Sequence, residues 1–282
     1  MAKAPEDQSA RDMVAKSCRI LGGLDLTKAA TGHVSQRVGD RVYIRARGGD
    51  EVGVRYTSPD EVIAVDLDGK KIDGPEGLAA PQEVFIHTWV YKTRPEVKSV
   101  IHIHPPTVVL FTICDKQLMP IYGAYDPSSV SLLLQGIPMY GRAITIRNDQ
   151  LGQDFVNAMG NKNVCLMRGH GITTAGASVE EATVNAIRLN ELAEMNYRAQ
   201  LLGNVRTISE EDQEVFRKMG HRSKEEGPNI HMFSSWRYYA QLSGAERSGN
   251  TERPKRRKPA KRKVAKKAVK KAKRTVKRTS RR

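Results

Sequence analysis

The sequence predicts one layered domain of the α/β or α+β class, followed by a basic tail. Short segments alternate apolar and polar residues around turn signals, which is the pattern of antiparallel strands. Longer segments with helical spacing precede, separate and follow these strands. The last segment, residues 253–282, holds eighteen Lys or Arg and no Asp or Glu. The sequence contains no glycine-rich phosphate-binding motif, so a doubly wound nucleotide-binding fold is not predicted.

The N-terminal part of the chain is predicted to form one helix and two hairpins. Residues 8–22 carry apolar side chains at helical intervals and end in two glycines, which indicates an amphipathic helix. Residues 33–38 and 41–47 alternate apolar and polar positions on either side of a Gly-Asp turn signal. Residues 61–72 repeat this arrangement around an Asp-Gly turn, so antiparallel strands are expected throughout this part.

The middle of the chain is predicted to be a helix that leads directly into a strand. The helix begins at residues 80–83, APQE, where proline suits an early helical position, and it ends before Pro95. Residues 98–104, KSVIHIH, then form a buried strand that Pro105 terminates. After a loop, the pattern predicts a helix over 148–159.

The remaining elements of the body follow the same alternation. Residues 163–167, NVCLM, indicate a short buried strand. A long helix is predicted over 178–203, because it begins with a capping box and ends at a glycine. A shorter helix is predicted to begin near Ser209.

Two histidines lie on one face of the predicted central strand. Side chains two positions apart in a strand point to the same side, so His102 and His104 stand about 6 to 7 Å apart at Cα. They form either a chelating pair or two core histidines that hydrogen-bond to their neighbours. A third candidate is His170, which lies between two glycines. Three histidines with an open coordination position suit a catalytic divalent metal such as zinc, manganese or iron.

Glu83 is the candidate carboxylate. It lies in the first turn of its predicted helix, where the helix dipole stabilises a negative charge in any protein. The residue is therefore either a functional group or a first-turn surface glutamate. His87, one helical turn later, is predicted to pack or to support a metal ligand rather than to bind a metal itself.

Three motifs, taken in order, resemble the class II aldolase/adducin family: TGHVSQRVG, APQEVFIHTWVYKTRPEVKSVIHIHPP and LMRGHGITTAG. The resemblance covers roughly residues 10–240, and the ordered combination is more specific than any single motif. It implies the α/β fold class, as a single three-layer α/β/α domain around a mostly antiparallel or mixed sheet. It also implies a homotetramer whose active sites lie between subunits.

The resemblance implies a role for each member of the histidine and glutamate set. The family's H-x-H pair and its later histidine bind a divalent metal, which corresponds to His102, His104 and His170 here. The family's catalytic glutamate, a proton shuttle and sometimes a metal ligand, corresponds to Glu83.

The chain departs from the sugar-phosphate aldolases of that family. Those enzymes carry Ser-Ser before the glutamate and an asparagine in the T/S-G-N segment, which help to hold phosphate. This chain has Pro81-Gln82 and His33 at those places. Residues 45–61, RARGGDEVGVRYTSPDE, replace a shorter glycine turn. The stretch looks similar to members that act on hydroxylated aromatic acids, among them metal-dependent decarboxylases and an oxidative iron-dependent branch.

Six further residues are candidates for substrate binding. They are Arg47, Arg55, Thr31, Ser35, Tyr238 and Tyr239. Either arginine would grip a carboxylate through two hydrogen bonds, but each is equally explained as a surface charge or an internal ion pair. The threonine and the serine would supply hydrogen bonds. One of the tyrosines would donate a proton from an adjacent subunit, although core packing is the favoured interpretation of both.

The predicted function is that of a divalent-metal-dependent carbon–carbon lyase. It would decarboxylate a hydroxylated aromatic or related carboxylic acid, with one metal ion per subunit. Zinc and manganese are the predicted metals and iron is the alternative. The metal would act as a Lewis acid while Glu83 moves a proton to or from the reacting carbon.

Three other functions remain open on the sequence. The first is an aldolase that cleaves a hydroxy-oxo compound, with or without phosphate. The second is an iron-dependent oxidative enzyme. The third is a non-catalytic, adducin-like binding protein.

Charge divides the chain into a predicted catalytic domain, residues 1–245, and a predicted disordered tail, residues 246–282. Residues 1–252 hold 29 basic side chains (47 minus the 18 of the tail) and 31 acidic ones, a net charge of −2. The body therefore has no general electrostatic attraction to nucleic acid or membranes. The tail resembles the Lys/Ala/Pro-rich ends of linker histones. It would either bind nucleic acid or other polyanions without sequence preference, or be a solvated tail of little consequence.

The cysteines and the hydropathy pattern favour a cytoplasmic protein. The three cysteines are far apart and form no C-x-x-C pair, so neither a disulfide framework nor a cysteine zinc site is predicted. The sequence shows neither a signal-peptide apolar core nor a membrane-spanning apolar run.

Overall fold

The computed structural model describes residues 5–219 and 229–246. The helices in these ranges are α1 (Pro5–Gly23), α2 (Val84–Thr93), α3 (Pro106–Ile113), α4 (Pro127–Leu134), α5 (Asp149–Met159), α6 (Val179–Leu202), α7 (Glu210–Met219) and α8 (Ile230–Leu242). The strands are β1 (His33–Val38), β2 (Arg41–Arg45), β3 (Val62–Val65), β4 (Lys71–Asp73), β5 (Ser99–Ile103), β6 (Met139–Tyr140), β7 (Val164–Met167) and β8 (Gly171–Gly176). Two short 3-10 helices, Val54–Tyr56 and Pro59–Glu61, connect β2 to β3.

The strands form one sheet in the order β4-β3-β2-β1-β5-β8-β7-β6. Neighbouring strands are antiparallel except β6 and β7, which are parallel. This confirms the predicted α/β fold with a mixed, mostly antiparallel sheet. The pairing of β1 with β5 places His33 directly opposite His102 in the centre of the sheet.

Helices cover both faces of the sheet. Helices α1, α3, α6 and α8 contribute to one hydrophobic core, and α2 and α5 contribute to the other. The alternation along β5 shows the division, since Ile101 and Ile103 join the first core and Val100 joins the second. His102 shares the face of Val100 and therefore points to the side of α2. The three-layer α/β/α arrangement is confirmed.

The segment between β5 and α5 differs from its prediction, because it contains two helices where the sequence predicted a loop. Helix α3 begins with a proline at its first position, and its residues are almost all apolar. An apolar helix has no amphipathic period, so periodicity does not mark it. Helix α4 begins after Asp126, whose side chain accepts a hydrogen bond from the backbone of Ser129. Strand β8 is also unmarked in the sequence, since GITTAG has no alternating pattern.

Two further predictions concern the chain ends and the membrane. Within the described ranges, no helix has the length and apolar character that a membrane crossing needs. Apart from Glu246, the predicted tail lies outside the described residues, so the division at 245/246 stays a prediction. The three cysteines are free; Cys18 and Cys165 are buried and Cys114 is exposed.

Candidate metal and proton-transfer site

Four potential metal ligands meet on the α2 side of the sheet. His102 belongs to β5 and His104 follows its end, while His170 lies in the turn between β7 and β8. Glu83 is the residue immediately before the first turn of α2. One ligand atom from each of the four residues lies within 4.8 Å of the others. We call these four residues the ligand cluster.

The glycines beside His170 let its turn lie against β5. Gly169 has a φ of +56°, in the left-handed region that favours glycine. A Cβ atom added at Gly171 would lie 2.3 Å from the carbonyl oxygen of Ile103 and 2.8 Å from the ring of His104. The backbone of the turn can therefore approach the H-x-H strand only because position 171 has no side chain.

The spacing of the ligand atoms fits a divalent metal. The Nε2 atoms of His102 and His104 are 2.9 Å apart. Glu83 lies 3.4 Å from His102 Nε2 through Oε2 and 3.5 Å from His170 Nε2 through Oε1. Nitrogen ligands arranged tetrahedrally at about 2.0–2.1 Å from zinc would lie roughly 3.3 Å from one another. The separations are therefore of the size expected between neighbouring ligands of one divalent ion, and the carboxylate of Glu83 lies beside the histidine nitrogens.

The protonation of the histidines also suits a metal. Burial, and then His102 and His170 as neighbours, lower the pKa of His104 to about 3. Burial likewise lowers the pKa of His102, although Glu83 acts in the opposite direction. The Nδ1 atom of His102 lies 3.4 Å from the hydroxyl of Thr173, which leaves its Nε2 lone pair free for a ligand role. Neutral imidazoles are the form that binds divalent metals.

Glu83 is held as a carboxylate. Its side chain is mostly buried, and Oε1 accepts a 3.1 Å hydrogen bond from the backbone N–H of Ile146. In the metal-free protein, burial acts to raise the pKa of Glu83, but hydrogen bonds with His102 and His170 lower it by more, so the net pKa lies well below its ordinary value. An ionised carboxylate at this position can accept a proton from a bound molecule.

A second polar group lies behind Glu83. His33, His87, Ser35 and Tyr91 are joined by hydrogen bonds of 2.7 Å, and we call these four residues the buried chain. Burial, and then the neighbouring His102, lower the pKa of His87 to about 3. Burial, and then His87 and His102, lower the pKa of His33 well below its ordinary value. Both imidazoles are therefore neutral at neutral pH.

Sequence reasoning found only part of the buried chain. It predicted a packing or supporting role for His87, and His33 was visible only as a departure from a phosphate-binding asparagine. Tyr91 was not predicted. The sequence signal for this group is a spacing of four between Glu83, His87 and Tyr91, which places them on one helix face. His33 and Ser35, two residues apart, likewise share one strand face.

The two predicted arginines lie in different settings. Arg47 and its neighbour Arg45 both donate to the carbonyl of Ala30, and they lie 3.2 and 3.6 Å from the carboxylate of Glu51. These bonds hold the loop that leads into β1. Arg55 is exposed on a 3-10 helix. Their predicted grip on a substrate carboxylate stays a prediction.

The other four residues predicted to bind substrate also lie in different environments. Thr31 is exposed, and its hydroxyl donates to the carbonyl of Lys28 at 2.5 Å. Ser35 is fully buried within the buried chain. Tyr238 is 61% exposed, and Tyr239 donates a hydrogen bond to Glu191 at 2.8 Å. No contact of these four with a substrate is tested by the structure, and their roles stay predictions.

A cavity of about 630 Å³ opens beside the ligand cluster. Its lining includes Gln82, Arg142, Thr145, Arg147 and His170. A larger cavity of about 810 Å³ lies between α4, α6 and α8, lined by side chains that include Arg188, Glu191 and Tyr239. Of these two cavities, the smaller one reaches a member of the ligand cluster.

Comparison with known proteins places these features in one family. Residues 12–197 match the family described as class II aldolase and adducin N-terminal domain. The chain is 37% identical over 198 residues to the 3,4-dihydroxyphthalate decarboxylase of Arthrobacter keyseri, covering 69% of this chain and 80% of that protein. It is 38% identical over 195 residues to the enzyme of the same name from Rhodococcus jostii, covering 67% and 79%.

A solved structure shares the fold. The L-fuculose 1-phosphate aldolase of Glaciozyma antarctica PI12 superimposes with a TM-score of 0.69, at 18% sequence identity, over 86% of this chain and 93% of that chain. The similarity supports the three-layer architecture described above. At this identity it carries no information about substrate.

Proposed function

The chain belongs to the class II aldolase and adducin N-terminal domain family, and from that premise we propose that it decarboxylates a hydroxylated aromatic acid in a metal-dependent reaction. The proposed substrate class is that of 3,4-dihydroxyphthalate, a ring with two neighbouring carboxylates and two neighbouring hydroxyls. The names of the two similar decarboxylases support this class. The observation that carries the proposal is the meeting of three histidines with the carboxylate of Glu83.

We propose that the histidines of the ligand cluster hold the metal and that the glutamate carries the proton, which the proximity of the four side chains supports. A divalent metal held by His102, His104 and His170 would supply a Lewis acid for the oxygens of the substrate. Glu83 is ionised and mostly buried, so it can accept the proton of a substrate hydroxyl and pass it to a ring carbon. Its Oε1 is held by the backbone of Ile146, which leaves Oε2 as the atom that carries the proton.

The reaction balances with one proton. The bond between a ring carbon and its carboxylate breaks, CO₂ leaves, and the electron pair that stays on the carbon takes up a proton from Glu83. Solvent returns one proton to the product oxygen, so one solvent proton is consumed in each turnover. No oxidant or reductant is required.

The substrate carboxylate that stays on the ring needs a cationic partner. The predicted candidates are Arg47 and Arg55. The cavity beside His170 adds Arg142, which lies 3.9 Å from Asp154, and Arg147, both on the loop that also holds Glu83. An arginine at this position would bind a carboxylate through two hydrogen bonds. Thr31 remains a proposed hydrogen-bonding residue.

The proposal is tested by incubating the metal-loaded protein with 3,4-dihydroxyphthalate. Release of CO₂ with accumulation of 3,4-dihydroxybenzoate or 2,3-dihydroxybenzoate supports decarboxylation and identifies the carboxylate that is lost. An aldehyde or ketone fragment from a hydroxy-oxo compound, without CO₂, would support the aldolase alternative. Oxygen consumption with bound iron would support the oxidative alternative.

We propose zinc or manganese as the metal, with iron as the alternative, because imidazole-rich sites accept all three. Elemental analysis of purified protein should find one divalent ion per chain. Protein that neither contains nor takes up such an ion would support the non-catalytic, adducin-like alternative instead.

We also propose a homotetramer with sites between subunits. The proposal rests on the family resemblance, and the exposed Tyr238 and its neighbour Tyr239 are the proposed contributions from an adjacent subunit. Light scattering during size-exclusion chromatography measures the mass, and a monomer that retains full activity would contradict this arrangement.

The basic tail, residues 246–282, is proposed to bind nucleic acid or other polyanions. The eighteen positive charges of residues 253–282 would release counterions from a polyanion, so binding should weaken steeply with salt. Removing residues 253–282 should abolish retention on DNA at low salt and leave CO₂ release unchanged. Loss of catalysis on removal would contradict the division into a catalytic domain and a tail.

A cytoplasmic location is proposed from the cysteine usage of the chain.

A further inference from the structure

Five polar side chains alternate between one helix and one strand. Glu83 directly precedes α2, and His87 and Tyr91 follow within the helix at intervals of four residues. The three side chains therefore lie on one helix face. His33 and Ser35 are two residues apart on β1 and share one strand face. Four helical residues advance about 6 Å and two strand residues about 6.6 Å, so the two rows can interleave.

The contacts follow this alternation from the ligand cluster inward. His33 Nε2 lies 3.9 Å from Glu83 Oε2, and His33 Nδ1 lies 2.7 Å from His87 Nε2. His87 Nδ1 lies 2.7 Å from Ser35 Oγ, which lies 2.7 Å from Tyr91 Oη. The four residues of the buried chain are at most 4% exposed. Such a row is costly to bury unless each polar atom has a partner.

The carboxylate at one end gives the hydrogen bonds a direction. An ionised carboxylate attracts an N–H dipole and repels a lone pair, so Glu83 favours the neutral His33 tautomer with the proton on Nε2, 3.9 Å away. His33 Nδ1 then accepts from His87 Nε2–H. The single proton of the Ser35 hydroxyl then goes to His87 Nδ1 at 2.7 Å rather than to the carbonyl of Val100 at 3.3 Å. The oxygen of Ser35 in turn accepts from Tyr91. The opposite direction would place a lone pair of His33 against the carboxylate.

We propose that the buried chain is a positioning device that fixes His33 in the tautomer whose Nε2–H faces Oε2 of Glu83, 3.9 Å away, so that the carboxylate is held for proton transfer. His33 acts through Glu83, and His87, Ser35 and Tyr91 act through His33. The proposal rests on the proposed function of Glu83 as the proton carrier.

The need for this donor follows from the other partners of Glu83. His102 Nε2 and His170 Nε2 lie 3.4 and 3.5 Å from its oxygens. A nitrogen that binds a metal has no proton to donate, so these two contacts do not orient the carboxylate once the metal is held. Among the described residues, the donors that remain beside Glu83 are the Ile146 backbone on Oε1 and His33 near Oε2.

Ser35 and Thr88 offer a matched pair of variants. Ser35→Ala removes the donor to His87, and the acceptor that remains near that ring is the carbonyl of Val100. Thr88 is the residue after His87 and is also fully buried, but its hydroxyl has no hydrogen-bond partner within the described residues. Thr88→Val therefore removes a buried hydroxyl from the same helix without breaking the chain. Ser35→Thr restores a hydroxyl on the strand.

The test combines imidazole NMR with kinetics on the metal-loaded full chain. Labelling the seven histidines with ¹⁵N reports which ring nitrogen carries the proton. In the parent protein, His33 and His87 should both carry it on Nε2. In Ser35→Ala, both should shift toward the Nδ1–H form with metal content unchanged.

The kinetic expectation follows from the same geometry. Ser35→Ala should lower kcat roughly tenfold to a hundredfold with KM within about threefold, because the carboxylate loses its orientation while the metal still binds substrate. Ser35→Thr should recover most of kcat, and Thr88→Val should stay within about twofold of the parent.

Two results would overturn the proposal. One is a parent protein in which His33 or His87 carries its proton on Nδ1. The other is a Ser35→Ala protein whose tautomers and kcat match those of Thr88→Val, which would assign the chain to packing alone. If the parent releases no CO₂ from the phthalate, the proposed function fails, while the tautomers still decide the proposal for the buried chain.

Discussion

The ligand cluster and the buried chain use histidine in opposite ways on the two sides of Glu83. In the cluster, the Nε2 atoms of His102 and His104 face each other at 2.9 Å, with further ligand atoms beside them. In the buried chain, His87 has a protein partner on each ring nitrogen at 2.7 Å. A histidine whose two nitrogens are both occupied by the protein is a support, whereas convergent nitrogens beside a carboxylate form a metal site.

Loss of a cluster histidine should have the largest effect. We expect His104→Ala to lose the bound metal and to reduce kcat/KM by more than the roughly 10–100-fold that supporting partners of a metal ligand cost. Elemental analysis and the CO₂ assay measure the two changes. His231→Ala, at an exposed position on α8, is the matched control and should keep both. Full metal content in His104→Ala would remove that residue from the site.

Replacement of the carboxylate should separate metal binding from proton transfer. In Glu83→Gln the three histidines remain, so the metal should stay bound, while kcat should fall roughly 10²–10⁴-fold because the proton carrier is gone. Metal content and kcat on the same preparation check this. If the metal were lost as completely as in His104→Ala, Glu83 would be a ligand rather than the proton carrier.

The sequence allowed the cluster to be predicted far better than the buried chain, for a physical reason. The H-x-H spacing places two imidazoles on one strand face, and the glycines around His170 mark a sharp turn. The family resemblance of the ordered motifs then joined these residues and Glu83 into one predicted metal site. The buried chain needs the register of two elements that are far apart in the sequence, since His33 and His87 meet only when α2 lies across β1. No local pattern specifies that packing.

The same reasoning explains the errors in the fold prediction. Hairpins and capped helices carry local signals, and their strands and helices were predicted from turn residues and caps. Helix α3 carries a proline start but an almost uniformly apolar sequence, so it shows no period. The interpretation of Arg47 stayed open because a bidentate carboxylate grip and an ion pair with Glu51 need the same residue type.

Substitution of one glycine should disturb the cluster without removing a ligand. In Gly171→Ala the new Cβ would lie 2.3 Å from the carbonyl oxygen of Ile103, so either the turn or the end of β5 must move. We expect about 1–3 kcal/mol of lost unfolding free energy and weaker metal binding. Gly141→Ala is the matched control, because its Cβ would meet nothing within 4 Å. Urea unfolding and metal titration compare the two variants, and equal stability would contradict the close approach.

In the metal-free protein, acid should lower the free energy of unfolding through the histidines of both the ligand cluster and the buried chain. At neutral pH this loss of stability is absent. The pKa values of His104 and His87 are lowered from 6.5 to about 3, mainly by burial. Between these values the unfolded chain binds a proton at each site and the folded protein does not, so stability falls as the pH falls. Each histidine should contribute a slope of up to about 1.4 kcal/mol per pH unit.

His87→Gln should therefore flatten the pH dependence of the unfolding free energy between pH 6.5 and about 3, whatever its stability at pH 7. The readout is the slope rather than the level, because removal of a buried hydrogen-bonding ring also destabilises the protein at every pH. Thr88→Val removes no titrating group and should keep the parent slope. Urea unfolding of the metal-free variants at half-unit pH intervals measures it. An unchanged slope in His87→Gln would mean that this ring is protonated in the folded protein, and the buried chain could not then run from Tyr91 to His33 as a row of single hydrogen bonds.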